Sequence, residues 1–160
     1  MFTYEDARRF QFESNQIDRR IGVTETESEA FWQLMGKQVL TPWDLLSPIL
    51  INYPHALLRD EEHMKNVYDI QHPPLWSGRR VREELEIILD LANRRYCSAY
   101  DIYIRYMSLL PFTYGNGLSG RMLWLWVRKG DEGRGFLIEF HATAFQKALL
   151  KKVLEGNYEL

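Results

Sequence analysis

The sequence predicts an all-α protein with one short β element. Three observations carry that expectation. Between 79 and 95 the apolar residues Val81, Leu85, Ile88, Leu89 and Ala92 recur with the period of a helix face. Several segments open on capping residues. Only the stretch from Val67 to Gly78 joins β-favouring residues to a Pro pair and a Gly, the mark of a hairpin or extended flap.

Taken in order, residues 1–23 show weak periodicity through Phe10, Phe12, Ile17 and Ile21, enough for one short helix. Thr26 and Glu29 have the spacing of a capping box ahead of an apolar helix that Gly36 and Pro42 interrupt. Thr41-Pro42 starts a further helix, with Pro at its first position. Pro48 and Pro54 leave 47–60 without a clear pattern. The helix at about 79–95 follows the flap. Ser98, with Asp101 three positions on, opens another through Ala99, Ile102, Tyr106, Leu109 and Leu110. Residues 119–128 form a helix apolar nearly all round, with Trp124 and Trp126, and such a helix belongs in a core. A last helix at 139–155 closes at Gly156.

The length of 160 residues suits one domain, and 46% hydrophobic against 26% charged residues is a globular balance. With 20 Lys and Arg against 22 Asp and Glu, the net charge of −2 argues against bulk electrostatic coating of nucleic acid. No DNA-specific motif is present. The single Cys97 excludes an internal disulfide and a cysteine-built zinc site. No apolar run approaches the ~20 residues that cross a bilayer, and the N-terminus lacks a signal-peptide pattern. A cytoplasmic protein is the expectation.

The segment that carries chemistry is Leu110-Pro-Phe-Thr-Tyr-Gly-Asn-Gly-Leu-Ser-Gly-Arg121. It is a glycine-rich loop feeding a helix N-terminus. Gly115 and Gly117 permit positive φ and close backbone approach, successive amides there form an anion nest, and Arg121 lies one turn into the helix, within reach of a bound phosphate. A plain helix–loop–helix corner would show the same glycines.

This segment resembles the signature of the Fic/Doc family, His-Pro-Phe-x-(Asp/Glu)-Gly-Asn-Gly-Arg-x-x-Arg. Pro111, Phe112, Gly115, Asn116, Gly117 and Arg121 match it in register. The flap near 67–78, the helix at 79–95, the helix leading into the motif and the tail through Gly156-Asn-Tyr-Glu also resemble that family. The resemblance covers 60–160, and it implies a Fic-like helical bundle with a short β-hairpin flap. Residues 1–59 then form an N-terminal helical extension of the same domain, and 60–160 the Fic-like core.

Family members transfer a nucleotide monophosphate, usually AMP, to a protein hydroxyl. The motif histidine is their general base, its acidic residue holds Mg²⁺, and its arginines face the phosphates. Here those positions depart. The histidine is Leu110, and loss of a general base costs ~10²–10⁴ in rate. The acid is Tyr114, a poor ligand for a hard cation, and the first arginine is Leu118. Gly115, Asn116, Gly117 and Arg121 remain as the phosphate- or nucleotide-binding half. Leu110 and Leu118 make the mouth of the site more apolar.

The resemblance therefore implies no catalytic residue, no metal ligand and no cofactor. The chain reads as a non-catalytic binding or regulatory module with a protein partner and weak phosphate or nucleotide binding, away from membranes. The alternative is a protein adenylyltransferase with a non-standard or partner-supplied base, which would need ATP and Mg²⁺. Ile70 and His72 belong to the flap. His55, His63, His72 and His141 are the substitute bases on offer, and none has a helical metal-pair partner. The family's inhibitory Ser/Thr-x-x-x-Glu-Gly/Asn pattern is unmatched at Glu155-Gly156, where Lys151 replaces the hydroxyl, and at Thr24, Thr26 and Ser28. Arg79, Arg80 and Arg82 start a helix whose Glu83, Glu84 and Glu86 pair with them.

Overall fold

The computed structural model describes residues 2–61, 76 and 78–132, and those residues are mostly helical. Six helices follow one another: α1 (Tyr4–Ile17), α2 (Glu25–Met35), α3 (Pro42–Ile49), α4 (Arg79–Asn93), α5 (Ala99–Leu109) and α6 (Asn116–Glu132). The expected hairpin over 67–78, with Ile70 and His72, lies outside the described residues apart from Trp76 and Gly78. So does the expected helix at 139–155.

The caps explain most boundaries. Thr3, Thr41 and Ser98 open α1, α3 and α5 from extended backbone, and Pro42 takes the first position of α3. The capping box of α2 differs from expectation. It joins Thr24 to Glu27, two residues before Thr26 and Glu29. Both pairs have the right spacing, and tertiary contact selects between them. The Glu27 carboxylate receives Nδ2 of Asn15 at 3.0 Å, whereas Glu29 accepts only from Gln33, one turn along the same helix.

One core gathers side chains from all six helices, including Phe10, Phe31, Leu45, Leu85, Ile102, Leu123 and Trp126. Burying each such side chain contributes about 1.5–3 kcal/mol. As its composition predicts, α6 is central: Met122 through Val127 are all buried. It runs antiparallel to α5, since Tyr106 meets Ser119, Tyr103 approaches Gly120 and the Tyr100 ring meets Trp124. The Tyr106 and Ser119 hydroxyls are 2.6 Å apart, and burial raises the Tyr106 phenol well above its ordinary value. The pairing of Arg79 with Glu83 and Arg80 with Glu84 holds, but Arg82 turns to Asp60.

α1 buries polar residues as well as apolar ones. Gln11, Ser14 and Asn15 are all within 2% of full burial. Gln11 donates to Asn15, and Asn15 donates to Glu27 and to the Gly22 carbonyl. Burial alone would raise the Glu27 carboxyl. The hydrogen bonds from Asn15 and from the side chain and backbone of Thr24, with the Arg20 charge, outweigh it and hold the group below its ordinary value of 4.5.

A depressed carboxyl contributes stability above its unfolded value and loses it as pH falls through the folded one. One Glu27 oxygen accepts from Asn15 and the other from Thr24, so Glu27→Gln must turn an amide donor toward one of these donors, and it lowers stability at neutral pH by roughly 1–3 kcal/mol. Denaturant unfolding at neutral and acid pH checks this: the variant also loses part of the wild-type stability drop below about pH 4.5.

Candidate functional site

The glycine segment forms a closed corner between α5 and α6. α5 ends at Leu110 in the left-handed conformation (φ 48°, ψ 64°), a geometry that costs a branched residue on the order of 1–2 kcal/mol. Arg59 holds it. Its Nε donates to the Leu110 carbonyl at 2.6 Å and one terminal nitrogen to the Leu109 carbonyl at 3.0 Å. A buried cation thus caps the negative end of α5.

The chain on either side of Arg59 then runs against the loop. The Arg59 amide donates to the Pro111 carbonyl at 2.8 Å, the Thr113 amide donates to the Leu57 carbonyl at 2.9 Å, and Leu58 and Phe112 form an antiparallel bridge. The 47–60 region, unreadable from its prolines, therefore supplies an extended partner for the motif.

Asn116 closes the corner from inside. Its side chain accepts from the Phe112 amide at 2.9 Å and donates to the Phe112 carbonyl at 2.8 Å. Of the two glycines expected to use positive φ, Gly115 does (φ +77°), while Gly117 is helical. α6 accordingly begins at Asn116, two to three residues before its expected start. A Cβ on Gly115 would lie 2.7 Å from Ile49 Cγ2, so this position excludes a side chain on two grounds.

The expected nest is partly consumed, because Asn116 and Leu57 take the Phe112 and Thr113 amides. Among the described residues, the amides of Asn116, Gly117 and Leu118 meet no acceptor, and the Ser119 amide is the first to bond, to the Gly115 carbonyl. The positive end of α6 is thus intact.

Arg121 does not point to open solvent. It is 3% exposed, its Nε donates to Ser14 Oγ at 2.8 Å, and its Nη2 donates to the Ser14 carbonyl and ion-pairs with Asp18. Another Asp18 oxygen lies 3.8 Å from where a Gly117 Cβ would stand. A carboxylate from the end of α1 therefore sits beside the α6 N-terminus and on the arginine. Ser14 and Asp18 went unnoticed in the sequence. Their signal is modest: an i, i+4 hydroxyl and acid on one face of α1.

The three departing positions fall in different places. Leu110 and Leu118 are both buried, Leu118 within the hydrophobic core, so neither side chain is exposed to form an apolar mouth. Tyr114 is the exposed member at 45%, its ring stacked parallel on Tyr53 at 5.5 Å. Among the other candidates, His55 is exposed and Cys97 half-buried, while His63, His72 and His141 lie outside the described residues. No family model matches the chain, and no curated protein and no solved structure matches it.

The tightness around Gly115 gives a direct check. Gly115→Ala forces both a strained φ and a clash with Ile49, and thermal or denaturant unfolding should show a loss of about 2–4 kcal/mol. A change within ~0.5 kcal/mol would mean that the corner yields easily.

Proposed function

We propose that this chain is a Fic-type protein with a degenerate motif, acting as a non-catalytic binding or regulatory module whose loop keeps a weak, internally occupied anion site. The observation that carries the reading is the pairing of Asp18 with Arg121 at the start of α6. It supports the reading because a carboxylate meets the arginine that the motif resemblance assigns to phosphate. Ser14-x-x-x-Asp18 also has the spacing of the family's inhibitory Ser/Thr-x-x-x-Glu pattern, with the shorter acid and with Arg19 in place of Gly or Asn.

The chemistry at the loop agrees. The Leu110 side chain has no proton acceptor and is buried. Among the described residues the family's Mg²⁺ finds no suitable donors at the loop: Tyr114 offers a neutral phenol on a ring stacked against Tyr53, and the Asp18 carboxylate is engaged by Arg121. What remains is a helix N-terminus and a guanidinium, able to hold one anion if Asp18 yields.

Two measurements test this. With labelled ATP and Mg²⁺, the chain should label neither itself nor a protein in a lysate above background. Robust labelling would favour the adenylyltransferase alternative, with a base from elsewhere.

The second is anion competition. Each charge-assisted contact contributes about 1.5–3 kcal/mol, so inorganic phosphate should bind the unmodified chain in the millimolar range. Asp18→Ala leaves Arg121 buried without its counter-charge, a destabilising state that phosphate relieves. Calorimetric titration should show at least tenfold tighter phosphate binding to Asp18→Ala, with a larger phosphate-dependent rise in Tm. Equal binding by both proteins, or by Arg121→Ala, would remove the anion site from the proposal.

A further inference from the structure

The outer face of α2 carries two adjoining shallow depressions. One, with room of about 450 Å³, lies between α2 and the turn after α3, where Glu25, Glu29, Ala30 and Ile51 line it. The other, of about 420 Å³, lies toward the end of the helix between Phe2 and Trp32. Gln33 belongs to both, which makes them one groove. Glu25, Glu29, Gln33 and Gly36 follow at helix spacing, so the groove runs along α2 for about 16 Å.

The groove offers apolar surface at both ends. Trp32 is 41% exposed, its ring edge-on to Tyr4 at 5.8 Å, and Ala30 and Ile51 are half-buried. Its charge is of one sign. α2 contains three glutamates and neither lysine nor arginine. Glu27 turns inward to Asn15, whereas Glu25 and Glu29 are exposed, one turn apart, and repel each other. Among the described residues no cation comes within ion-pair distance of either, and Glu29 accepts from the neutral Gln33. α4 is the contrast: its Glu83, Glu84 and Asp90 each pair with an arginine one turn away.

We propose that this groove docks a basic amphipathic helix of a partner protein, with apolar residues on Trp32, Ala30 and Ile51 and cations against Glu25 and Glu29. The shallowness selects a macromolecule, since a small ligand here would stay largely in water. A partner helix covers the whole length in about three turns. The charge selects its sign: a basic helix relieves the repulsion between the two glutamates, and an acidic one adds to it. This surface needs neither the anion at Arg121 nor the family resemblance, so a failed phosphate titration would leave it standing.

The probe is a synthetic peptide of about four helical turns, with leucines at helix spacing flanked by lysines. Titrated into the isotope-labelled full chain, it should shift the NMR signals of the Ala30, Gln33 and Gly36 amides, with a Kd in the micromolar range that weakens at high salt. Glu25→Gln combined with Glu29→Gln should weaken binding about tenfold, and so should Ala30→Lys, with the fold checked by circular dichroism. A peptide with serines for leucines should bind about tenfold more weakly, which attraction between charges alone would not produce. No shift at these amides, unchanged affinity in both variants, or equal binding of the serine peptide would overturn the proposal. Occupation from other sources would do the same. If Lys147→Gln, Lys151→Gln and Lys152→Gln together shift these amides without peptide, the chain's own end fills the groove; if dilution shifts them, a second copy does.

Discussion

The contact on which the loop geometry most depends is the one between Arg121 and the end of α1. A guanidinium at 3% exposure cannot stay charged in a helical core without partners, and Ser14 and Asp18 provide them. That requirement fixes where α1 must lie on α6. Once α1 is there, its inward stripe continues through Asn15 and Gln11 to Glu27, and α2 is drawn into the same network. The two N-terminal helices thus dock through apolar side chains such as Phe10 and Phe31 for affinity and through directional bonds for register.

The other side of the corner is organised by a second arginine with a different task. Arg121 answers a carboxylate, whereas the described partners of Arg59 include backbone carbonyls at the end of α5. One positions a charge beside the α6 N-terminus, and the other satisfies groups that a helix end leaves bare. Between them the left-handed Leu110, the Asn116 clamp and the Gly115 turn become mutually consistent. Removing any one leaves the others holding strained or unmet groups.

The sequence reveals this architecture unevenly, and the reason is range. α4 and α5 stand at nearly their expected bounds because their signals are local: an apolar period and a capping serine. The centrality of α6 follows from its lack of a polar face. The shift of the α2 cap from Thr26 to Thr24 turns on the contact of Asn15 with Glu27, 12 residues apart in sequence and invisible to a spacing rule. Within the glycine segment, the tight turn at Gly115 is legible from composition. The commitment of Arg121 to Ser14 and Asp18 is not, since nothing local distinguishes an arginine aimed at a phosphate from one aimed at another helix. Nor do the prolines of 47–60 disclose that Leu57 to Arg59 will lie along the motif.

The corner's reliance on distant partners also orders the assembly of the chain. Arg59 meets the Leu110 carbonyl across 51 residues, and Arg121 meets Ser14 across 107. Closing loops of that length is entropically slow beside the local contacts that start α1 or α5. The α5–α6 hairpin can form from its own neighbourhood, but the left-handed Leu110 gains its carbonyl partner only when the middle of the chain arrives. The segment most specific in sequence is therefore among the last to acquire its native shape.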